Sequence, residues 1–525
     1  MNNIEEENNS DNNSKNMNEP ISYKLVILFS FISLSIALNM NIAYTLFKKP
    51  NETIINYIDY DLAIKNNETA LKKIYDKDFR RYEKYEKEFN TDSKCDLLDP
   101  IRIFNNRLKN PPIEICNTDK TKHICYKDKG YYSDIFWNKD GVLCLMENIV
   151  LDPSKFSQRN YIYKGPVDQK NKGSPILAKG FLSTKCTPNK IKFKYSKKMY
   201  ESYFNSWNYD YNNENEELEE LAPGKTVFLL SRNQDSPNLF HGNAEIINII
   251  CLLYLFNLAP EEVQLVIFSG IEIPNDPFYD MFKDIFKDSF EPIYLNNLKK
   301  KYKISKAINV PMNWDTPTFI LMDLPKCDST TRTYQLYNDF VDKYISLTPY
   351  KDTFISDENS RYYPDRIIKN HKNGVNFTKI VTLQWRKVWP KNRKKQQRIL
   401  GNAKELADKL SQILPQNFLV RLIDTATLPY KDQISVMRST DYFIGIHGAG
   451  LSLSAFLPKK SILQEIHGDK VNTLLTLMSA LSGHVTYSDL IKNQNRLYKG
   501  NRNVFFDVED FAKSVLKHMK DNGFL

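Results

Sequence analysis

Three places in this 525-residue chain bring together residue types that do chemistry. The sharpest is residues 441–451, DYFIGIHGAGL, where a buried-strand pattern runs into His447-Gly448-Ala449-Gly450 and an apolar helix start. Glycines let backbone N–H groups come close to an anion, and a helix N-terminus adds positive potential, so such a turn suits a phosphate. The same glycines also suit a tight strand–helix turn that binds nothing. The spacing is not G-x-G-x-x-G, so a dinucleotide site is not implied. The second place is His241 and Glu245, four apart on one face of a helix expected to open after Asn238. An imidazole or carboxylate there can take a proton from a hydroxyl, or can simply cap or solvate the helix start. The third is the run from Arg386 to Arg398, RKVWPKNRKKQQR, with seven basic residues in thirteen. Taken alone it has the look of a nucleic-acid or nuclear-localisation patch.

Other chemistries fail on spacing. His-Gly-Ala-Gly has the letters of a lipase oxyanion turn, yet no G-x-S-x-G nucleophile elbow occurs anywhere in the chain. No H-E-x-x-H is present, and Asp59-Tyr60-Asp61 and Asp76-Lys77-Asp78 lie outside any strand–helix context.

The elements that must position these groups follow from alternating short apolar runs and amphipathic stretches, the pattern of βαβ units. A first set comprises strands at 226–231 and 263–269, helices at 241–257 and 280–287, and a short strand at 319–322. A second set has strands at 379–384, 418–423, 442–446 and 461–466. Its helices are expected from Asn402, with Glu405 completing a capping box, at 431–438, from Gly448 to Phe456, at 474–481, and after Asp507. Two successive α/β sheets joined near 345–375 predict two Rossmann-like lobes with a cleft between them. Residues 205–220, rich in Asn, Tyr and Glu, read as an exposed insert.

The N-terminus sets the surroundings. Residues 1–20 carry a net charge of −4, so the overall +10 becomes +14 for the remainder. Such a polar tail cannot bury apolar surface. Residues 25–47 then run without a charge, ~34 Å as a helix, enough for a ~30 Å hydrocarbon core. A tail (1–24), single anchor (25–47), stem (48–94), cysteine-bearing region (95–225), first lobe (226–375) and second lobe (376–525) are the expected divisions. Five of the seven cysteines, Cys95, Cys116, Cys125, Cys144 and Cys186, fall close together, consistent with disulfides in an oxidising lumen. Behind a membrane anchor the nucleic-acid reading of the basic run loses its ground.

Residues 433–466 resemble the C-terminal signature of glycosyltransferase family 61. The likeness extends to Trp385-Arg386, to 398–400 and 505–511, and more weakly to 238–245 and the cysteines around 116–144. That family includes EGF-domain-specific O-linked N-acetylglucosamine transferases and plant core β-1,2-xylosyltransferases. The resemblance implies an inverting enzyme of GT-B arrangement, using a UDP-sugar, typically without a bound metal or other cofactor. It implies that Gly448, Ala449 and Gly450 offer N–H groups to the diphosphate while His447 donates to it. Arg386 and Arg398 would neutralise the departing UDP, and Glu465 would grip ribose hydroxyls unless it merely pairs with a lysine. The acceptor hydroxyl would lose its proton to Glu245, first choice, or His241. The donor sugar would be N-acetylglucosamine or xylose, and the acceptor a glycoprotein or its glycan. The enzyme would be a single-pass type II protein of the Golgi or endoplasmic reticulum membrane. The alternative is a non-catalytic carbohydrate- or protein-binding relative that keeps the fold.

Overall fold

The computed structural model describes residues 82, 95, 99–127, 142–158, 176–189, 203–211, 216–232, 236–270, 276–287, 291–311, 330–386, 398–467, 474–491 and 502–525. Lys77–Leu525 form one compact unit. The expected tail, the anchor, almost all of the stem, the strand at 319–322 and the basic residues 387–397 lie outside the described residues. Among the described residues no helix is long and apolar enough to cross a membrane.

The unit is mixed α/β. Its first sheet contains β1 (Ile113–Asn117), β2 (Lys122–Lys127), β3 (Val142–Leu151), β4 (Thr226–Arg232), β5 (Val263–Ser269), β6 (Ile293–Tyr294) and β7 (Tyr302–Val310). They lie in the order β1-β2-β3-β7-β4-β5-β6. The β7-β4-β5-β6 portion is parallel. Every residue of β4 and β5 is buried, as the unbroken apolar runs require of strands covered on both faces. β3 joins β7 antiparallel, and β2 and β1 continue outward antiparallel. The sheet therefore crosses the division expected at 225, drawing strands from the cysteine-bearing region. Cys116–Cys186 and Cys125–Cys144 form disulfides there. Within the insert expected to be exposed, Trp207 is buried in the cluster that holds Phe181, Leu182 and Met146, while Asn205, Asp210, Glu216, Glu217 and Glu219 are exposed.

The second sheet contains β8 (Arg361–Tyr362), β9 (Lys379–Gln384), β10 (Phe418–Ile423), β11 (Tyr442–Ile446), β12 (Ile462–His467) and β13 (Val485–Leu490). The order is β8-β10-β9-β11-β12-β13, parallel throughout except for β8. The chain thus places β10 on one side of β9 and β11 on the other.

The described helices are α1 (Pro100–Lys109), α2 (Leu239–Leu255), α3 (Tyr279–Ile285), α4 (Arg332–Tyr344), α5 (Asp365–Lys372), α6 (Ala403–Ile413), α7 (Tyr430–Arg438), α8 (Leu474–Leu481) and α9 (Val508–Asp521). α2 is buried continuously from Phe240 to Leu253, so it is a central helix rather than an amphipathic cover. Asp507 caps α9 by accepting from Asp510 N at 2.9 Å. The capping box at Asn402 does not form; its side chain donates to Phe506 O at 2.7 Å, tying α6 to the C-terminal segment instead. The segment after Gly448 is a 3-10 helix, Ala449–Phe456, rather than an α-helix.

Asp99 caps α1 and also accepts from Thr333 N at 3.1 Å, joining α1 to α4. Burial pushes its carboxyl up to about 6, against the hydrogen bonds from Thr333. With the folded value above the unfolded one, its contribution to stability is present at low pH and lost as pH rises from 3.8 to about 6. Asp99→Asn keeps an acceptor for Thr333 and cannot ionise. Thermal melts across this window should show a shallower decline for the variant, by on the order of 3 kcal/mol at its upper end.

Candidate functional site

Of the sequence-expected residues, Arg386, His447–Gly450 and Glu465 lie at the carboxyl edge of the second sheet. Strand order reverses between β9 and β11, so the loops leaving these two strands part in opposite directions and leave a crevice. Arg386 follows the end of β9, and His447 follows the end of β11. A Cβ added to Gly448 would lie 2.2 Å from Arg386 Nη1, so the guanidinium rests against the bare glycine backbone. A Cβ on Gly450 would lie 1.9 Å from Nε2 of Gln384, the last residue of β9. The reason for glycine here is close approach, since Gly448 has an extended backbone (φ 162°) that any residue adopts. Arg386, Gly448, Ala449 and Gly450 are thus brought together. Arg398 begins a separate short ladder, Arg398–Leu400, paired in parallel with Arg502–Val504.

Glu465 lies on β12 opposite Gly445 of β11. It is fully buried and hydrogen-bonded to His447 Nδ1, so this oxygen is turned to an imidazole rather than outward to a ribose. Its other oxygen, Oε2, lies 3.6 Å from Nε2 of His467, which is also buried. The two imidazoles face each other with ring centres 5.2 Å apart. His467 was missed by sequence reasoning, although alternation along a strand puts residues two apart on one face.

Beside the end of β4 in the first sheet, Glu245 is fully buried within a charged network. Arg232, the last residue of β4, donates Nε–H to Glu245 Oε2 at 2.9 Å and also bonds Asp276. Ser236 Oγ donates to Glu245 Oε1 at 2.5 Å, and Tyr294 donates to Asp276 at 2.9 Å. Burial pushes Glu245 up to about 7, with the Arg232 charge and the Ser236 hydrogen bond opposing. His241, one turn earlier on α2, retains 9% exposure, and burial lowers it to about 3. Neither Arg232 nor Asp276 carries a sequence signal: one is the last letter of an apolar strand, the other a loop acid.

α2 itself is joined to the glycine turn. Asn243, between His241 and Glu245, donates Nδ2–H to Ser452 Oγ of the 3-10 helix at 3.1 Å. Its Oδ1 accepts from Tyr337 of α4 at 2.7 Å and from Tyr430 of α7.

Two stability effects follow. Gly450→Ala must displace Gln384 and should cost about 1–3 kcal/mol in denaturant unfolding. Arg232→Met leaves Glu245 and Asp276 buried without their cation and should cost about 3–5 kcal/mol by the same measurement.

Comparison with known proteins adds a family. Residues 290–463 match the model of the family described as Glycosyltransferase 61, a span that holds Arg386 and His447–Gly450. The chain is also similar to curated proteins named EGF domain-specific O-linked N-acetylglucosamine transferase. The Pan troglodytes protein is 29% identical over 133 residues, covering 22% of this chain and 24% of that protein. The Canis lupus familiaris protein is 29% identical over 134 residues, covering 20% and 25%. The chain therefore spans about a quarter of the length of these relatives. Among solved structures, the glycosyl transferase family 9 protein from Veillonella parvula DSM 2008 aligns at 9% identity and a TM-score of 0.25, covering 58% of this chain and 98% of that one. That likeness is too loose to bear on the fold. Residues 290–463, with the glycine turn and its arginine inside them, are thus similar to the glycosyltransferase 61 family.

Proposed function

We propose that the chain is an inverting glycosyltransferase that moves a sugar from a UDP-sugar to a hydroxyl of a glycoprotein or its glycan. The observation that carries this reading is Arg386 lying against Gly448 at the reversal point of the second sheet, a cation beside a glycine turn. In this reading the two sheets are Rossmann-like lobes in a GT-B arrangement, the second holding the nucleotide. The printed names of the relatives favour N-acetylglucosamine as the sugar, with xylose next. The two disulfides favour an oxidising compartment, and residues 25–47 would anchor the chain in a Golgi or endoplasmic reticulum membrane.

The chemistry then divides between the two sides. The acceptor oxygen attacks the anomeric carbon from the face opposite the diphosphate. As that bond forms, the carbon–oxygen bond to the diphosphate breaks and its electron pair leaves with UDP. Arg386, His447 and the N–H groups of Gly448–Gly450 stabilise the charge that collects there. The acceptor proton goes to a base on α2. The resemblance puts Glu245 first, but its burial and its bonds to Arg232 and Ser236 suit it to holding that network. We assign the base to His241, the more exposed of the two. An imidazole with so low a pKa attracts a proton weakly, so transfer comes late, once the new sugar–oxygen bond has acidified the hydroxyl.

The full-length protein incubated with a panel of nucleotide sugars and glycoprotein acceptors should release UDP with one donor. Absence of release with every donor would leave only a sugar-binding relative. Arg386→Ala should weaken UDP binding roughly ten- to hundredfold, read by calorimetry. His241→Ala should lower kcat by about 10²–10⁴. The wild-type rate should hold as pH falls until it approaches about 3. If Glu245 were the base, the rate would instead decline below about 7.

A further inference from the structure

We propose that His447, Glu465 and His467 form a divalent-metal site at the edge of the second sheet, with zinc the ion their chemistry fits best. The three side chains each offer one ligand atom, and these atoms all lie within 4.8 Å of one another. The strands impose this convergence. Glu465 and His467 are two apart on β12 and so share a face, while Ile446 pairs with Ile466. That register brings His447, the next residue, beside His467. One carboxylate is thereby flanked by two imidazoles, His447 at one oxygen and His467 at the other.

Two imidazole nitrogens and a carboxylate are the donor set that borderline divalent ions prefer, with Zn²⁺ bonds of about 2.0–2.2 Å. Ligand atoms in such a shell lie about 3–3.6 Å apart, and the 3.6 Å between His467 Nε2 and Glu465 Oε2 already fits. Admitting the ion requires the His447 ring to draw back from its hydrogen bond with Glu465. Its side chain is the accessible one of the three, at 14% against 0% for the other two. The fourth coordination position would therefore open on the His447 side, next to Gly448 and Arg386, where a diphosphate oxygen could complete the shell. Held there, the cation would share with Arg386 the neutralising of the leaving group. This departs from the expectation that the donor site works without metal, and it deepens the transferase reading by giving its donor side a second cation. The comparable group of His123, Cys125 and Cys144 offers no such site, because its two sulfurs are joined in a disulfide.

The untagged full-length protein would be stripped with EDTA, incubated with CoCl₂ and passed through a desalting column. Bound cobalt is read by elemental analysis and by its visible d–d absorption. We expect about one retained equivalent, with absorption bleached by added ZnCl₂, in the range of three-ligand catalytic sites. His467→Ala and Glu465→Gln should each lower retention at least about tenfold, with thermal melts of the stripped proteins as the control on folding. If a variant fails to fold, the zinc competition on the wild type decides. Retention below about a tenth of an equivalent, or equal retention in the folded variants, overturns the site and leaves a hydrogen-bonded imidazole–carboxylate–imidazole chain. The measurement contains no nucleotide sugar. Its failure is thus separate from failure of the transferase reading, which is judged by UDP release.

Discussion

The amide of Asn243 is the contact on which the arrangement of the unit turns. It is buried within α2 and bonds three other elements at once: the 3-10 helix through Ser452, α4 through Tyr337 and α7 through Tyr430. A buried amide has four hydrogen-bonding positions to satisfy, and each unmet one costs roughly 1–3 kcal/mol. Three of them are met only if all four elements sit in one relative position. Since Asn243 lies between His241 and Glu245, the interaction that seats the helix also sets how those two residues approach the glycine turn. No apolar contact would define that position as narrowly, because packing tolerates small slides that a hydrogen-bond set does not.

Both sheets use the same topological device. In each, a parallel strand has its chain neighbours sent to opposite sides, and the charged groups gather at the carboxyl end beside that reversal. On the first sheet the result is Arg232 closed between Glu245 and Asp276, a self-neutralised cluster. On the second it is Arg386 over glycine backbone. One cation lies closed between two carboxylates inside the fold, and the other lies beside a glycine turn. That difference assigns the nucleotide to the second sheet in our reading.

Much of this was legible in the sequence because the strands leading to the chemistry are short, apolar and locally unambiguous. The strands at 226, 263, 379, 418 and 442 start and stop near where their patterns do, and the glycine turn was recognisable from its letters. What escaped was long-range. Trp207 sits in a stretch whose composition is that of a loop, and only the sheet beyond it makes it core. Asn402 has the local partner for a cap, but Phe506 O, brought in from a hundred residues away, takes its amide. Glu465 read as a ribose or lysine partner because its position alone does not reveal that His447, just past the neighbouring strand, takes its carboxylate. Arg232 and Asn243 carry no motif at all. Each of these depends on a partner distant in the chain, where residue spacing holds no information.

The antiparallel extension of the first sheet bears on the order in which the chain assembles. β2 and β3 face each other with Cys125 directly opposite Cys144, a hairpin whose contacts are near in sequence. Its attachment to the rest of the sheet is through β7, whose partner residues are more than a hundred and fifty positions further on. During vectorial synthesis, at about 5–20 residues per second, the hairpin must wait many seconds with its outer edge unpaired before β7 emerges. A covalent cross-link made early across β2 and β3 would hold that edge in register through the delay, when a slipped or swapped pairing is the main hazard. The disulfide thus fixes the register of β2 against β3 without any help from β7.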